Sequence, residues 1–226
     1  MKKFVKYMKM TTITVMAATI LMTIAPQDAC AQMAQKQQKQ LQKALNKEYK
    51  SKMAEYQKEG WKLDASSRTL EVSLLTHYSK LAEDENNKEF FGAVSQCQSI
   101  NVCRQFALNN AINRYATLAS GDVKGRIDAM MRADASAGMS QVEMDKFIAA
   151  YENMVQAEVG GVLTESYSIV KDKGNTKEYR TYFILNDEKA RAARNRALER
   201  SLVETKMAAK EAEEISRFVN EGFNLD

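Results

Sequence analysis

A single proline, Pro26, stands in this chain, and none follows it. The strongest helix breaker is absent beyond that point, so breaks between elements fall to glycine and to polar turns. With only nine glycines as well, the chain is too poor in Gly and Pro for a collagen-like or flexible array. It is 45% apolar and 27% charged over 226 residues, which suits one domain with its own core and excludes a wholly disordered chain.

The formal charge of +4 suggests nucleic acid only at first sight. Residues 1–31 carry four Lys and one Asp, leaving 29 basic and 28 acidic side chains in the remainder. No field remains to steer the chain to DNA or RNA, and no nucleic-acid partner is expected.

Those first residues read as an address. Lys2, Lys3, Lys6 and Lys9 form a basic opening, 18 uncharged residues run from Met10 to Gln27, and Ala29-Cys30-Ala31 offers small residues before Gln32. This is the layout of a secretory signal peptide spanning 1–31, with cleavage between Ala31 and Gln32. An uncleaved anchor is the rival reading. Five Thr dilute the stretch, and a spanning helix wants about 20 predominantly apolar residues. A lipid on Cys30 is the other alternative, disfavoured because Gln27 and Asp28 occupy the positions before it. The expected location is periplasmic or secreted, with membrane attachment only if Cys30 is lipidated, as an outer-membrane lipoprotein.

Two cysteines remain after Gln32, Cys97 and Cys103. Export to an oxidising compartment favours a local disulfide between them over two buried thiols. A Cys103 at the start of a helix would bring the Cα atoms within the roughly 7 Å a bridge requires. The spacing is not that of a redox pair, and no His or further Cys completes a zinc site. No metal and no cofactor are expected.

Residue periodicity predicts an α+β fold: an antiparallel sheet with a C-terminal hairpin packed against helices, plus long N- and C-terminal helices. The expected divisions are a polar N-terminal helix over 32–59, an α+β domain over 60–186 and a C-terminal helix over 187–226. Leu41, Leu45, Tyr49, Met53 and Tyr56 give the first helix a narrow apolar stripe among many lysines. It reads as a solvated spacer helix packed by one edge, in preference to a basic surface for anionic lipid or an acidic partner. Gly60 stops it, and Trp61 to Asp64 forms a short strand or link. Ser66 or Ser67 is the expected cap of a helix to Leu81, with faces at Leu70, Leu74, Tyr78 and Leu81. His77 lies beside that stripe and, as a lone histidine, reads as a packed side chain.

The run Glu83 to Asn87 is a polar turn, and Phe90 to Ser95 a buried strand. A helix from Val102 to Ala119 follows, with Phe106, Ala111, Ile112, Tyr115, Leu118 and Ala119 inward and Ser120-Gly121 ending it. Residues 122–139 are open between helix and loop. Ser140-Gln-Val-Glu143 is a capping box that opens a helix with Met144, Phe147, Ile148, Tyr151 and Val155 on its core face. Gly160-Gly161 breaks this helix. Val162 to Lys171 and Glu178 to Leu185 then flank a turn at Gly174-Asn175, an antiparallel hairpin. From Asp187 to about Asn220 the chain is helical again. Leu198, Leu202, Thr205, Ala209, Ala212, Ser216 and Val219 suit either a weak coiled-coil seam or packing on the chain's own sheet. Arg191, Arg194, Arg196 and Arg200, with acidic neighbours, read as a solvated ion-paired face.

The strand Phe91-Gly92-Ala93-Val94-Ser95 followed by Ala107, Ala111, Arg114, Ala116, Leu118 and Ala119 on one helix, and then by the hairpin, resembles a known family. It is similar to the LPP20-like envelope lipoproteins of Gram-negative bacteria and to the N-terminal domain of flagellar FlgT proteins, over residues 88–185. The resemblance implies a small α+β fold at the cell envelope without a known catalytic activity, and it supplies no functional residues.

No phosphate-binding, dinucleotide, nucleophile-elbow or zinc-protease motif is present, and Ser168-Ile-Val-Lys171 lacks the companions of an S-x-x-K enzyme. No catalytic residues are expected. The favoured reading is an exported, non-enzymatic envelope protein that binds an envelope component or itself. The alternatives are a periplasmic holdase-like chaperone and an enzyme with an unrecognised carboxylate or tyrosine pocket.

Overall fold

The computed structural model describes residues 27–64, 67–133 and 140–206, then 212, 213, 215–217 and 219, with side chains from Lys43 onward. Residues 1–26 of the expected leader at 1–31, the Ser66 cap, and Ala209 and Asn220 of the C-terminal helix lie outside the described residues. Contacts divide the chain into residues 1–47 and 48–226. The described part of the first unit is helix, belonging to α1 (Gln27–Glu59), which runs through Cys30, Ala31 and Gln32. The end of α1 belongs to the second unit. There it is followed by β1 (Lys62–Leu63), α2 (Leu70–Glu83), β2 (Asn87–Cys97), α3 (Ile100–Ala133), α4 (Gln141–Val159), β3 (Thr164–Lys173), β4 (Thr176–Asn186) and α5 (Asp187–Thr205). The strands form one antiparallel sheet in the order β1-β3-β4-β2. The fold is α+β, with the hairpin β3–β4 at its centre.

Alternation along the strands sends side chains to opposite faces, and here both faces are buried. Phe90 of β2 and Phe183 and Leu185 of β4 pack on Tyr115 and Ile127 of α3, Met144, Phe147 and Tyr151 of α4, and Ala197 and Leu198 of α5. The other face carries Tyr167 and Tyr182, stacked at 4.6 Å between ring centroids. Tyr56 at the end of α1 reaches this face, with its hydroxyl 3.1 Å from that of Tyr167. Tyr56 is fully buried, so the end of α1 is held to the sheet by the edge that carries its apolar stripe, while most of its other side chains stay exposed.

The closest approach in the fold is at Gly92. A Cβ built there would stand 1.8 Å from the carbonyl oxygen of Ala107 and 3.0 Å from the amide nitrogen of Ala111. The backbone of α3 therefore lies directly on β2, and only glycine fits beneath it. This bears out the expected inward Ala111, Tyr115 and Ala119 and corrects the face expected for α3 at Phe106 and Leu118. Phe106 and Leu118 are exposed, while Cys103, Ala107, Ala111, Tyr115, Ala116 and Ala119 point inward. At this separation a small-residue stripe fits and a Phe does not.

The same face continues through Val123 and Ile127, both buried, and so α3 does not end at Ser120-Gly121 but runs to Ala133. Its two interior glycines, Gly121 and Gly125, each cost a helix only about 1 kcal/mol relative to Ala, less together than the burial of Val123 and Ile127 gains. Thr69, not Ser66 or Ser67, caps α2, its hydroxyl accepting from the Val72 amide at 3.2 Å. α5 stops at Lys206, which takes the left-handed conformation (φ 53°) and returns its N–H to Leu202 and Val203. The C-terminal segment is therefore not one continuous helix, although Ile215 and Val219 beyond the break are buried in the same core.

Of the arginines of α5, Arg191, Arg196 and Arg200 are exposed as expected, and Arg194 departs from the solvated face. Arg194 is buried, donating to the Tyr115 hydroxyl with Asp187 at 3.6 Å. Ala190, Ala193 and Ala197 around it are small enough to admit a long side chain. Arg196 and Arg200 leave their own helix to pair with Glu158 of α4, at 2.7 and 2.8 Å.

Two outcomes check this packing. Gly92→Ala is expected to destabilise by about 3 kcal/mol, because the obstructing atoms are backbone. Gly121→Ala, where an added Cβ meets nothing within 4 Å, is expected to stabilise by roughly 0.5 to 1 kcal/mol. Denaturant titration of the two variants measures both.

The capping box of α4 is present as expected, with Ser140 and Glu143 bonded reciprocally. Those bonds hold the Glu143 carboxyl below its ordinary value of 4.5. A depressed folded-state value means that the stabilisation is complete above 4.5 and disappears as pH falls through the lowered value. The melting-temperature gap between the wild type and Glu143→Ala is expected to be constant near neutrality and to close in acid.

Candidate functional site

β1 is only two residues long, so it covers β3 at Ile169 and Val170 and leaves the edge before them open. α2 stands on one side of this opening and Arg104 of α3 on the other. Between them lies a cleft of about 370 Å³, lined among others by Asp64, Ser73, Thr76, Arg104, Ser166 and Ser168. This is at the small end of ligand-sized cavities, and its lining is mostly polar.

Two hydrogen-bonded chains end in this cleft. In the first, the buried Asp64 carboxylate accepts from the Tyr179 hydroxyl at 2.6 Å and from Arg104 Nη2 at 2.8 Å. Arg104 Nε in turn donates to the Tyr179 oxygen at 3.4 Å. Burial, then the bond to Asp64, pushes the Tyr179 phenol up. The bond to Tyr179 likewise raises Arg104.

In the second chain, His77 Nε2 lies 2.7 Å from Glu89 Oε2 and His77 Nδ1 lies 2.9 Å from Ser166 Oγ. A carboxylate only accepts, so in the neutral ring the hydrogen sits on Nε2, and Nδ1 accepts the Ser166 hydroxyl. His77 is fully buried, edge-on to Tyr78, Tyr167 and Tyr182 at 5.4, 5.1 and 6.4 Å. It is a packed side chain, as its position beside the α2 stripe predicts, and it also has two polar partners. Ser166 reaches it from a β-bulge, where the register of β3 on β4 shifts between Glu165 and Tyr167. Bulges commonly re-aim a side chain in this way.

The tyrosines expected as possible acid–base groups are unsuited to that work. Burial pushes the phenols of Tyr56, Tyr78 and Tyr167 upward, so they stay protonated near neutrality. The carboxylates around the cleft are each engaged: Asp64 as above, Glu165 by the Ser168 hydroxyl at 2.8 Å, and Glu89 by His77. Ser168 of the S-x-x-K match, its hydrogen given to Glu165, accepts from the Thr181 hydroxyl at 3.0 Å within the sheet. Among the described residues, no group of three His, Cys, Asp or Glu could hold a metal ion.

Cys97 and Cys103 are joined in a disulfide with Cα atoms 5.5 Å apart. Ser99 opens α3, its carbonyl accepting from the Cys103 amide at 2.9 Å. Cys103 thus sits in the first turn, where the expected bridge requires it.

Sequence reading singled out His77 but not its partners. Glu89 lies 12 residues away and Ser166 lies 89 away. Asp64 and Tyr179 are separated by 115 residues. No local spacing signals such contacts.

Removing the buried carboxylate by Asp64→Ala leaves Tyr179 and Arg104 without their acceptor. Because Arg104 is half exposed, the expected loss is at the low end for a broken buried pair, about 3 kcal/mol. Tyr179→Phe is expected to cost about 1 kcal/mol. Urea unfolding of both variants separates the two.

No protein-family model, no curated protein and no solved structure matches the chain.

Proposed function

We propose that the chain is an exported cell-envelope protein, akin to the LPP20-like and FlgT N-terminal families, that acts by binding another envelope component or itself. The observation that carries this reading is the Cys97–Cys103 disulfide. Disulfides persist in oxidising compartments such as the periplasm, and this one follows a leader-like segment at 1–31. The residues behind the family resemblance also have a clear physical task, since Gly92, Ala107 and Ala111 make the closest contact of the fold. The polar cleft beside β3 supplies a surface on which an envelope component would be held.

Among the described residues, no helix is long and apolar enough to cross a membrane. Cleavage before Gln32 would release a soluble species, whereas a lipid on Cys30 would anchor it at the outer membrane. Intact mass of the protein exported by a Gram-negative host with its own leader tests the reading. A species beginning at Gln32 and two hydrogens lighter than the reduced chain is expected. Retention of the entire chain in the cytoplasm with both thiols free to alkylate would overturn it.

A further inference from the structure

Ser166, His77 and Glu89 form a continuous chain of nucleophile, base and orienting carboxylate, with contacts of 2.9 and 2.7 Å. The half-buried Ser166 lines the cleft, while the fully buried His77 stands behind it. These are the relations by which an activated serine is recognised, whatever the fold or the order of residues in the chain. We propose that Ser166 is a nucleophile that cleaves short-chain carboxylic esters of polyhydroxylated alcohols.

The lining sets the substrate class. Leu63 is the lone aliphatic residue among the residues around the cleft, beside Ser67, Ser73, Thr76 and Ser168. A long acyl chain needs an apolar channel to repay its transfer from water, and this cleft provides none. Hydroxyl and carboxylate groups suit an alcohol portion bearing several hydroxyls. Arg68 and Arg104 also line the cleft, Arg104 in its pair with Asp64, so the wall an oxyanion would meet carries cationic side chains.

In the first step, Ser166 Oγ bonds to the acyl carbon while its proton passes to His77 Nδ1. The resulting imidazolium faces the Glu89 carboxylate through Nε2–H. The tetrahedral adduct then collapses, the bond from carbon to the alcohol oxygen breaks, and His77 returns the proton to that oxygen. Water, deprotonated by the same nitrogen, attacks the acyl-serine, releasing the carboxylic acid and restoring the Ser166 hydroxyl.

The test uses the full chain with its disulfide intact. Incubation with diisopropyl fluorophosphate, followed by intact mass and peptide mapping, is expected to give one phosphoryl adduct on Ser166 and none in Ser166→Ala. Hydrolysis of p-nitrophenyl acetate is expected to fall at least about 100-fold in Ser166→Ala. In Glu89→Gln, which alters only a partly exposed carboxylate, it is expected to fall at least about tenfold. Circular dichroism establishes that each variant is folded. A folded wild type that takes no adduct at Ser166, or hydrolyses acetate no faster than Ser166→Ala, overturns the proposal. Hydrolysis of p-nitrophenyl octanoate as fast as acetate overturns the short-chain assignment. Neither readout depends on export, so failure here leaves the envelope-binding reading standing.

Discussion

The contact of Gly92 with the backbone of α3 is the constraint from which the architecture follows. A helix lying so close to a strand must present small residues, and Cys103, Ala107 and Ala111 do so along one line. The disulfide from Cys97, the last residue of β2, to Cys103 in the first turn of α3 pins the two elements at one end. Arg114 then lies against the rings of Phe90 and Phe91 farther along, 5.4 and 4.8 Å from their centroids. Held at three places, α3 becomes a rail on which α4 docks. Thr117 and Ser120 donate to Glu152, and Lys124 pairs with Asp145. α5 packs in turn against α4, with Glu158 bridging to Arg196 and Arg200.

The opposite face of the sheet has a different character. There the packing is aromatic and polar at once, with Tyr56, Tyr167, Tyr182 and His77 in contact through rings and hydroxyls. Burying so many polar tips is tolerable only where each finds a partner. The shortness of β1 leaves the edge of β3 open, and there the His77 chain from this face and the Asp64 chain from the α3 face both emerge. A rigid helical face and a polar, partly open face on one sheet give the molecule a scaffold side and a chemical side.

Much of this was legible in the residues, and the parts that were not share a cause. The capping box at Ser140, the hairpin around Gly174 and the short loop between the cysteines are local devices, decided within a few residues of chain. The α3 register was not local. Helical periodicity placed Ala111, Tyr115 and Ala119 inward, as they are, but hydrophobicity alone added Phe106 and Leu118 to the same face. Only the partner strand, by putting Gly92 beneath the helix, reverses that choice. Gly121 misled for a related reason, because the burial of Val123 and Ile127 outweighs an interior glycine. Arg194 likewise looked solvated on a charged helix, yet small neighbours and the Tyr115 hydroxyl draw it into the core. At the candidate site His77 was visible as a single unusual residue. Glu89 and Ser166 become its partners only once β2 and β3 are both in the sheet.

Native-state hydrogen exchange, resolved by residue, tests most directly whether the β2–α3 contact organises the fold. If it does, amides of Phe91 to Val94 and of Ala107 to Tyr115 are the slowest in the molecule and exchange only by global unfolding, with opening free energies equal to the denaturant value. Exchange of these amides through local opening, while α4 and α5 remain protected, would contradict it.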